Sequence, residues 1–381
     1  MTKLPDFISY AKVRGSFAEV ATTVSEYVTN LTSTNGSGGV ILVNPVPSPE
    51  LKPTNTKSYE AGVDLRFLDN RLTFNYTWYK SNSYDQFIQY TPPATSPYTI
   101  GYLNAGNIQN TGMEVKLGYD IAKSRAFSWN SSFNYSYNNN KILVLDPSHP
   151  DENIQLTGNG ANAYESVLVK GGSYGDIWGV KYERNAAGQI MVNSSDAPIN
   201  SGQYEKVGNP SPKFQMGWEN NFNYKNFSFD FLVDGKFGGQ VLSMTQMLMD
   251  SYGVSVASGA ARDAGGVTVN AVDPTGKAVT KVDALTWYSA QGGRSGIAEP
   301  YMYSATVVRL RSASLGYTAP IANSFVKSLR FSLIGSNLIY FYKKAPYDPE
   351  ITMSTANGLG GVDVFNQPTT RRFGAQLNVT F

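Results

Sequence analysis

The sequence has no cysteine and a single histidine in 381 residues. The first absence removes disulfide frameworks, thiol catalysis and thiolate metal sites, and it suits an oxidising envelope compartment. The second removes histidine-based zinc and hydrolase sites, because His149, set between prolines in LDPSHP, has no histidine to act with. Charge is scarce too, at 16% of residues against about 25% in soluble domains. The net charge of +2 is spread without a basic cluster, so neither nucleic acid nor an anionic lipid surface is indicated as the main partner. Apolar runs are short: VILV at Val40 to Val43 is strand-length, far from the ~20 residues of a membrane helix. The opening MTKLPDFISYAKVRG also lacks the roughly 7–15-residue apolar core of a secretory signal.

Catalytic patterns are equally thin. No glycine loop follows a strand and opens a helix to cradle phosphate. Asp263, Asp273, Asp283 and Glu299 share one inferred loop at spacings that fix no paired-carboxylate geometry, and they read as solvated charges. DPSHPDEN (Asp146 to Asn153) lacks the glycine and spacing of an EF-hand. No catalytic residue, metal site or cofactor is expected.

What is abundant is aromatic: 25 Tyr, 19 Phe and 5 Trp, enough to demand a large core or a non-aqueous environment. They alternate with polar residues at period two. In RLTFNYTWYK, Leu72, Phe74, Tyr76 and Trp78 share one face; in SYEAGVDLRF, Tyr59, Ala61, Val63, Leu65 and Phe67 oppose Glu60, Asp64 and Arg66. The pattern returns at Met113 to Tyr119, Phe127 to Tyr137, Phe214 to Tyr224 and Phe227 to Val233, and ends in RRFGAQLNVTF. Weaker strands are read at about 9–20, 304–317 and 329–341, the middle one slipping phase near Ser312 as a bulge would. That makes roughly ten strands.

Connection lengths alternate. Tight links at 68–70, 121–126, 225–226 and about 318–328 separate long Gly-, Pro- and Asn-rich stretches at about 21–56, 81–109, 139–212, 238–303 and 342–369. Short turns on one rim and long loops on the other are the layout of an outer-membrane barrel. No helical segment of suitable length offers itself to cover an apolar sheet face, and Phe67, Trp78, Tyr79, Tyr119, Trp129, Tyr137 and Tyr224 suit aromatic girdles. A soluble β-sandwich or solenoid, with the same stripe as ordinary core, stays open on pattern alone. If the aromatics face lipid, Glu60, Asp64, Arg66, Glu114, Lys116, Glu219, Asp230, Asp234 and Lys236 point into the lumen. They would meet a plug and a solute, or simply supply the polarity that any lumen needs. Tyr84, Tyr90, Tyr98, Tyr102, Trp178, Trp287 and Tyr288 on the long rim are the candidates for ligand contact, because aromatic faces hold sugars and peptides.

Several segments then carry a family resemblance. PSPELKPTNTKSYEAGVDLRFLDNRLTFNYTWYKSNSYDQFI (Pro47 to Ile88) resembles the "PELKPE…EiGvD" strand hairpin of SusC/RagA-type TonB-dependent outer-membrane transporters. GGSYGDIWGVKYERNAAGQI (Gly171 to Ile190), YEKVGNPSPKFQMGWENNFNYKNFSFDFLVDGKFGG (Tyr204 to Gly239), VVRLRSASLGYTAP (Val307 to Pro320) and SLRFSLIGSNLIYFYKKAPYDPEI (Ser328 to Ile351) are similar to further family stretches, in the family's order. The resemblance implies an all-β fold, an antiparallel transmembrane β-barrel of which residues 1–381 are the C-terminal portion: roughly ten strands of about 22, with plug domain and signal peptide absent. It implies active import of an oligosaccharide or peptide at the outer membrane of a Gram-negative bacterium. Its partners would be a SusD-like surface lipoprotein, the TonB complex acting through the missing plug, an N-terminal barrel half and outer-membrane lipid. Phe373, Leu377, Val379 and Phe381 look like the signal read by barrel-assembly machinery. The alternatives are a structural or adhesive surface β-protein and a passive porin.

Overall fold

The computed structural model describes residues 5–381 apart from 25, 29, 31, 37–38, 44, 47–50, 93–95, 99, 146–152, 158–162, 322–324 and 354–359. His149 and most of the Asp146 to Asn153 stretch lie outside the described residues.

Ten antiparallel strands form one sheet: β1 (Ile8–Thr22), β2 (Thr54–Phe67), β3 (Leu72–Tyr90), β4 (Gly101–Lys123), β5 (Phe127–Val144), β6 (Phe214–Tyr224), β7 (Phe227–Phe237), β8 (Val307–Ala319), β9 (Ser328–Lys343) and β10 (Arg372–Thr380). They are hydrogen-bonded in chain order, with β1 and β10 at the two edges of an unclosed wall. The anticipated short links fall between β2 and β3, β4 and β5, β6 and β7, and β8 and β9. In the first, Leu68, Asp69 and Asn70 all take positive φ, which a tight hairpin between right-twisted strands requires. The meander is therefore set by local turn chemistry.

The pleat assigns the faces. One continuous cross-strand row runs Leu65, Phe74, Leu117, Phe133, Trp218, Val233, Leu310, Ile339, every member apolar. The adjacent row runs Lys12, Asp64, Asn75, Lys116, Asn134, Gly217, Asp234, Arg309, Tyr340 on the opposite face. Members of the apolar row stay open to their surroundings, with Leu117 at 42%, Trp218 at 45% and Ile339 at 48% exposure. Aromatic pairs such as Trp129–Phe222 (5.2 Å) and Phe227–Tyr317 (4.8 Å) tile that face. Two of its polar side chains are covered by indoles: Trp129 Nε1 donates to Asn220 Oδ1 and Trp218 Nε1 to Ser131 Oγ, each at 3.0 Å.

Three features depart from the sequence reading. The strands outrun the alternating segments: β4 has 23 residues, a length of roughly 75 Å that far exceeds a hydrocarbon core of about 30 Å. Its glycine- and asparagine-rich extension reads as loop because it lacks aromatic alternation, yet it buries Ala105 and Ile108 beneath the rim. Second, the long connections are themselves folded. A four-stranded sheet built from Ile154–Thr157, Tyr164–Leu168, Ile177–Tyr182 and Asn200–Gly208, two three-stranded sheets, and helices α1 (Met244–Ser251), α2 (Val256–Asp263) and α3 (Ala284–Gln291) occupy the rim. Among the described residues the helices pack chiefly on one another and on rim elements. Third, Tyr79 leaves the girdle set: it pairs with Glu60 and Gly112, and its hydroxyl donates to Asn138 Oδ1 at 3.1 Å on the polar face.

Buried hydrophobic clusters accordingly sit in the rim. One joins Ala163, Tyr164, Ile177, Leu242, Met244, Met247, Ala298, Tyr301 and Val362, drawn from three different connections. Another ties the top of β3, β4 and β5 to the four-stranded sheet through Ile88, Ile108, Ile142, Leu145, Ile154 and Leu168. The rim is a packed layer on the end of the wall.

Candidate functional site

On the polar face the side chains converge into two hollows. The first, about 450 Å³, is lined by Arg14, Asp64, Glu114 and Lys116 among others; the second, about 490 Å³, by Lys116, Glu219, Asp234 and Lys236. Glu60 borders a smaller recess beside Arg14. Asp64 is held in place, accepting from Asn75 Nδ2 at 2.8 Å and lying 3.5 Å from Arg14 Nε. Arg66 stacks its guanidinium over Tyr10 at 5.3 Å, and Asp230 stands across from Asn221 and Ser314. All nine positions expected on a polar wall thus share one face of the sheet. Alternation alone reaches that result, since residues two apart on a strand must lie on the same side.

The wall's upper end carries a denser cluster. Arg309 is 1% exposed; its Nη1 donates to Asp348 at 2.8 Å, its Nε to Asp234 at 3.2 Å, and its Nη2 to Glu350. Arg311 reaches Asp234 through Nε at 2.9 Å and Glu350 through Nη1 at 3.1 Å, while Lys236 Nζ lies 2.9 Å from Glu350. Tyr340 and Thr369 hydroxyls both donate to Asp348, at 2.9 Å each. Three cations meet three carboxylates, so the group is neutral and its buried lone pairs are largely satisfied, the condition under which buried charge is tolerated. Burial would raise the Glu350 carboxyl, but hydrogen bonds from Arg311, Arg309 and Lys236 overcome it and hold the group down at about 2.

A bulge makes this cluster possible. Leu310 pairs with Val233 and Ser312 with Leu232, which leaves Arg311 as an extra residue on β8 and turns both arginines to the polar side. The phase slip near Ser312 marks this place in the sequence. Its purpose becomes visible only when residues 348–350 arrive from a connection some forty positions downstream.

The seven rim aromatics do not form one site. Tyr84 is exposed on β3; Tyr90 packs against the cluster around Ile88; Tyr102 stacks on Phe87 at 5.2 Å; the Tyr98 amide donates to Ser96 Oγ at 3.2 Å. Trp178 lies in the four-stranded sheet, and its indole N–H is buried without a described partner. Trp287 is 5% exposed in a rim core with Tyr288 packed beside it, and its Nε1 donates to Gln291 Oε1 at 2.6 Å. Gln291 also accepts from the Tyr182 hydroxyl and donates to that of Tyr301 at 2.9 Å, so Trp287 belongs to a structural hub. Burial pushes the Tyr182 and Tyr301 hydroxyls up, and that of Tyr174 to about 12. Phe373, Leu377 and Val379 lie on exposed β10, which pairs with β9 from Ser328–Thr380 to Ser336–Arg372; Phe381 packs its ring 5.3 Å from Phe325.

A family model described as "TonB dependent receptor-like, beta-barrel" matches residues 5–208. TonB-dependent receptor P3 of Formosa agariphila is 26% identical over 371 residues, covering 90% of this chain and 36% of the relative. TonB-dependent receptor SusC of Bacteroides thetaiotaomicron is 22% identical over 201 residues, covering 50% of this chain and 20% of SusC. Among solved structures, the RagAB peptide transporter superposes with a TM-score of 0.73 at 18% identity, over 100% of this chain and 42% of its own. The chain spans about a third of the first of these relatives and about two fifths of the RagAB chain.

Proposed function

This chain belongs to the family of TonB-dependent receptor-like β-barrels, proteins of the Gram-negative outer membrane, and on that premise we propose that it forms part of the wall and mouth of an active importer. The observation that supports this most is the row from Lys12 to Tyr340, polar at every member but Gly217, backed by an unbroken apolar row one residue away. Such a wall separates lipid from an aqueous path. The solute is an oligosaccharide or a peptide too large for passive pores; the RagAB neighbours are described as peptide importers. A SusD-like surface lipoprotein closes over the packed rim, where Tyr84 and Trp178 offer aromatic contact. A plug inside the complete barrel, pulled by the TonB complex, opens the path along Asp64, Glu114, Lys116, Glu219 and Asp234. Phe373, Leu377, Val379 and Phe381 present the outward aromatic strand that assembly machinery engages.

Uptake of labelled peptides and oligosaccharides by cells with and without the gene tests this reading. Import that stops when TonB is deleted supports it. Import that persists without TonB makes the protein a passive porin, and surface location without import makes it a structural protein.

A further inference from the structure

The Tyr204 to Gly239 stretch is explained only in part by strands β6 and β7, because its two ends meet around a separate hollow. This cavity, about 660 Å³, opens at the rim between the end of the Asn200–Gly208 strand, the 209–213 link and the Gly238–Gln240 turn. Its charged lining residues are Lys206 and Lys213, and its neutral polar ones Asn209, Ser211 and Gln240; among the described residues no carboxylate and no aromatic ring lines it.

The hollow is built from beneath. Asp176, 2% exposed, accepts from Lys206 Nζ at 2.7 Å and from Asn209 Nδ2 at 2.5 Å, fixing both side chains at the cavity wall. Its charge is spent on Lys206, whereas Lys213 makes no ion pair among the described residues. Lys213 is nonetheless placed: its stem lies against Gly238, where a Cβ would come within 2.7 Å of the Lys213 Cγ. Gly239, at φ +80°, lets the chain pass so close to the Pro210 and Ser211 carbonyls that a Cβ would stand 2.9–3.0 Å from them. One uncompensated ammonium, a second held by a buried carboxylate and three neutral polar side chains make a complement for a single negative group.

We propose that this hollow is an anion subsite of the rim, taking a carboxylate carried by the imported solute. The inference rests on the importer reading and narrows it to acidic solutes. Lys213 supplies the free charge; Lys206 and Asn209 position the group; Ser211 and Gln240 complete its hydrogen bonds. Since no ring lines the cavity, selection here is by charge and leaves ring stacking to other parts of the rim.

The test is titration of the purified detergent-solubilised protein with two acidic probes, hexaglutamate and trigalacturonate, each against an uncharged counterpart of equal length. At least one acid is expected to bind about tenfold or more tightly than its counterpart, and which one does so separates peptide from saccharide as the source. Lys213→Gln should weaken that acid by about five- to tenfold and leave the uncharged probe unchanged, while Lys213→Arg restores binding. Raising salt from about 50 to about 500 mM, roughly a threefold change in Debye length, should erase most of the difference. Equal binding of charged and uncharged probes, no saturation by either acid, or an unaffected Lys213→Gln variant each overturns the subsite. TonB-dependent uptake of a neutral solute alongside any of those results would leave the importer standing.

Discussion

Replacing Glu350 by Gln tests whether the arginine cluster latches residues 344–371 to the wall. Glu350 is the carboxylate shared by Arg309, Arg311 and Lys236, and its pKa of about 2 lies below the ordinary 4.5. A folded pKa depressed this far corresponds to about 3 kcal/mol favouring the latched state. The sign follows from the direction of the shift: the contribution is complete above pH 4.5 and is lost as pH falls toward 2. Local opening is read by amide hydrogen exchange at Ile351 and Met353, whose N–H groups bond Asp348 O at 2.9 Å and Val362 O at 2.7 Å. With intrinsic rates corrected for pH, protection in the native protein should fall steeply between pH 4.5 and 2.5. In Glu350→Gln it should already be reduced about a hundredfold at pH 7 and change little over the same window. Equal protection in both proteins at pH 7, or a native profile flat down to pH 2.5, would refute the latch.

Other expectations follow from the faces and the rim. Leu117→Arg, on the apolar row, should destabilise the protein in lipid bilayers by about 2–4 kcal/mol in denaturant titration, whereas Ser136→Lys, opposite Glu114 on the polar face, should stay within about 0.5 kcal/mol. Gly239→Ala forces a Cβ onto two carbonyls at a positive φ and should cost about 1–3 kcal/mol, seen as a lowered rim melting transition. Trp287→Phe removes the indole donor to Gln291 but not the ring packing, so a loss of about 1 kcal/mol is expected in the same measurement, with tyrosine fluorescence from Tyr182 and Tyr301 altered.

Alternation by itself determined the wall. Because side chains on a strand change face at every residue, Phe74 and Asn75, or Leu117 and Lys116, declare opposite sides without any knowledge of their neighbours. The short links did the same for topology, since a hairpin of two or three residues can join only adjacent antiparallel strands. The final RRFGAQLNVTF likewise reads as an alternating strand, and it forms β10 beside β9. Tertiary structure decided what lies on the wall's end. Trp287 looks like a ligand platform in sequence because a tryptophan in a polar loop has no local partner; Gln291, Tyr182 and Tyr301, from α3 and two other segments, make it core. The charge cluster is hidden for the same reason: Arg309 and Arg311 acquire meaning from Asp234, Asp348 and Glu350, which stand 39 to 77 positions away, and only packing sets that distance to a hydrogen bond.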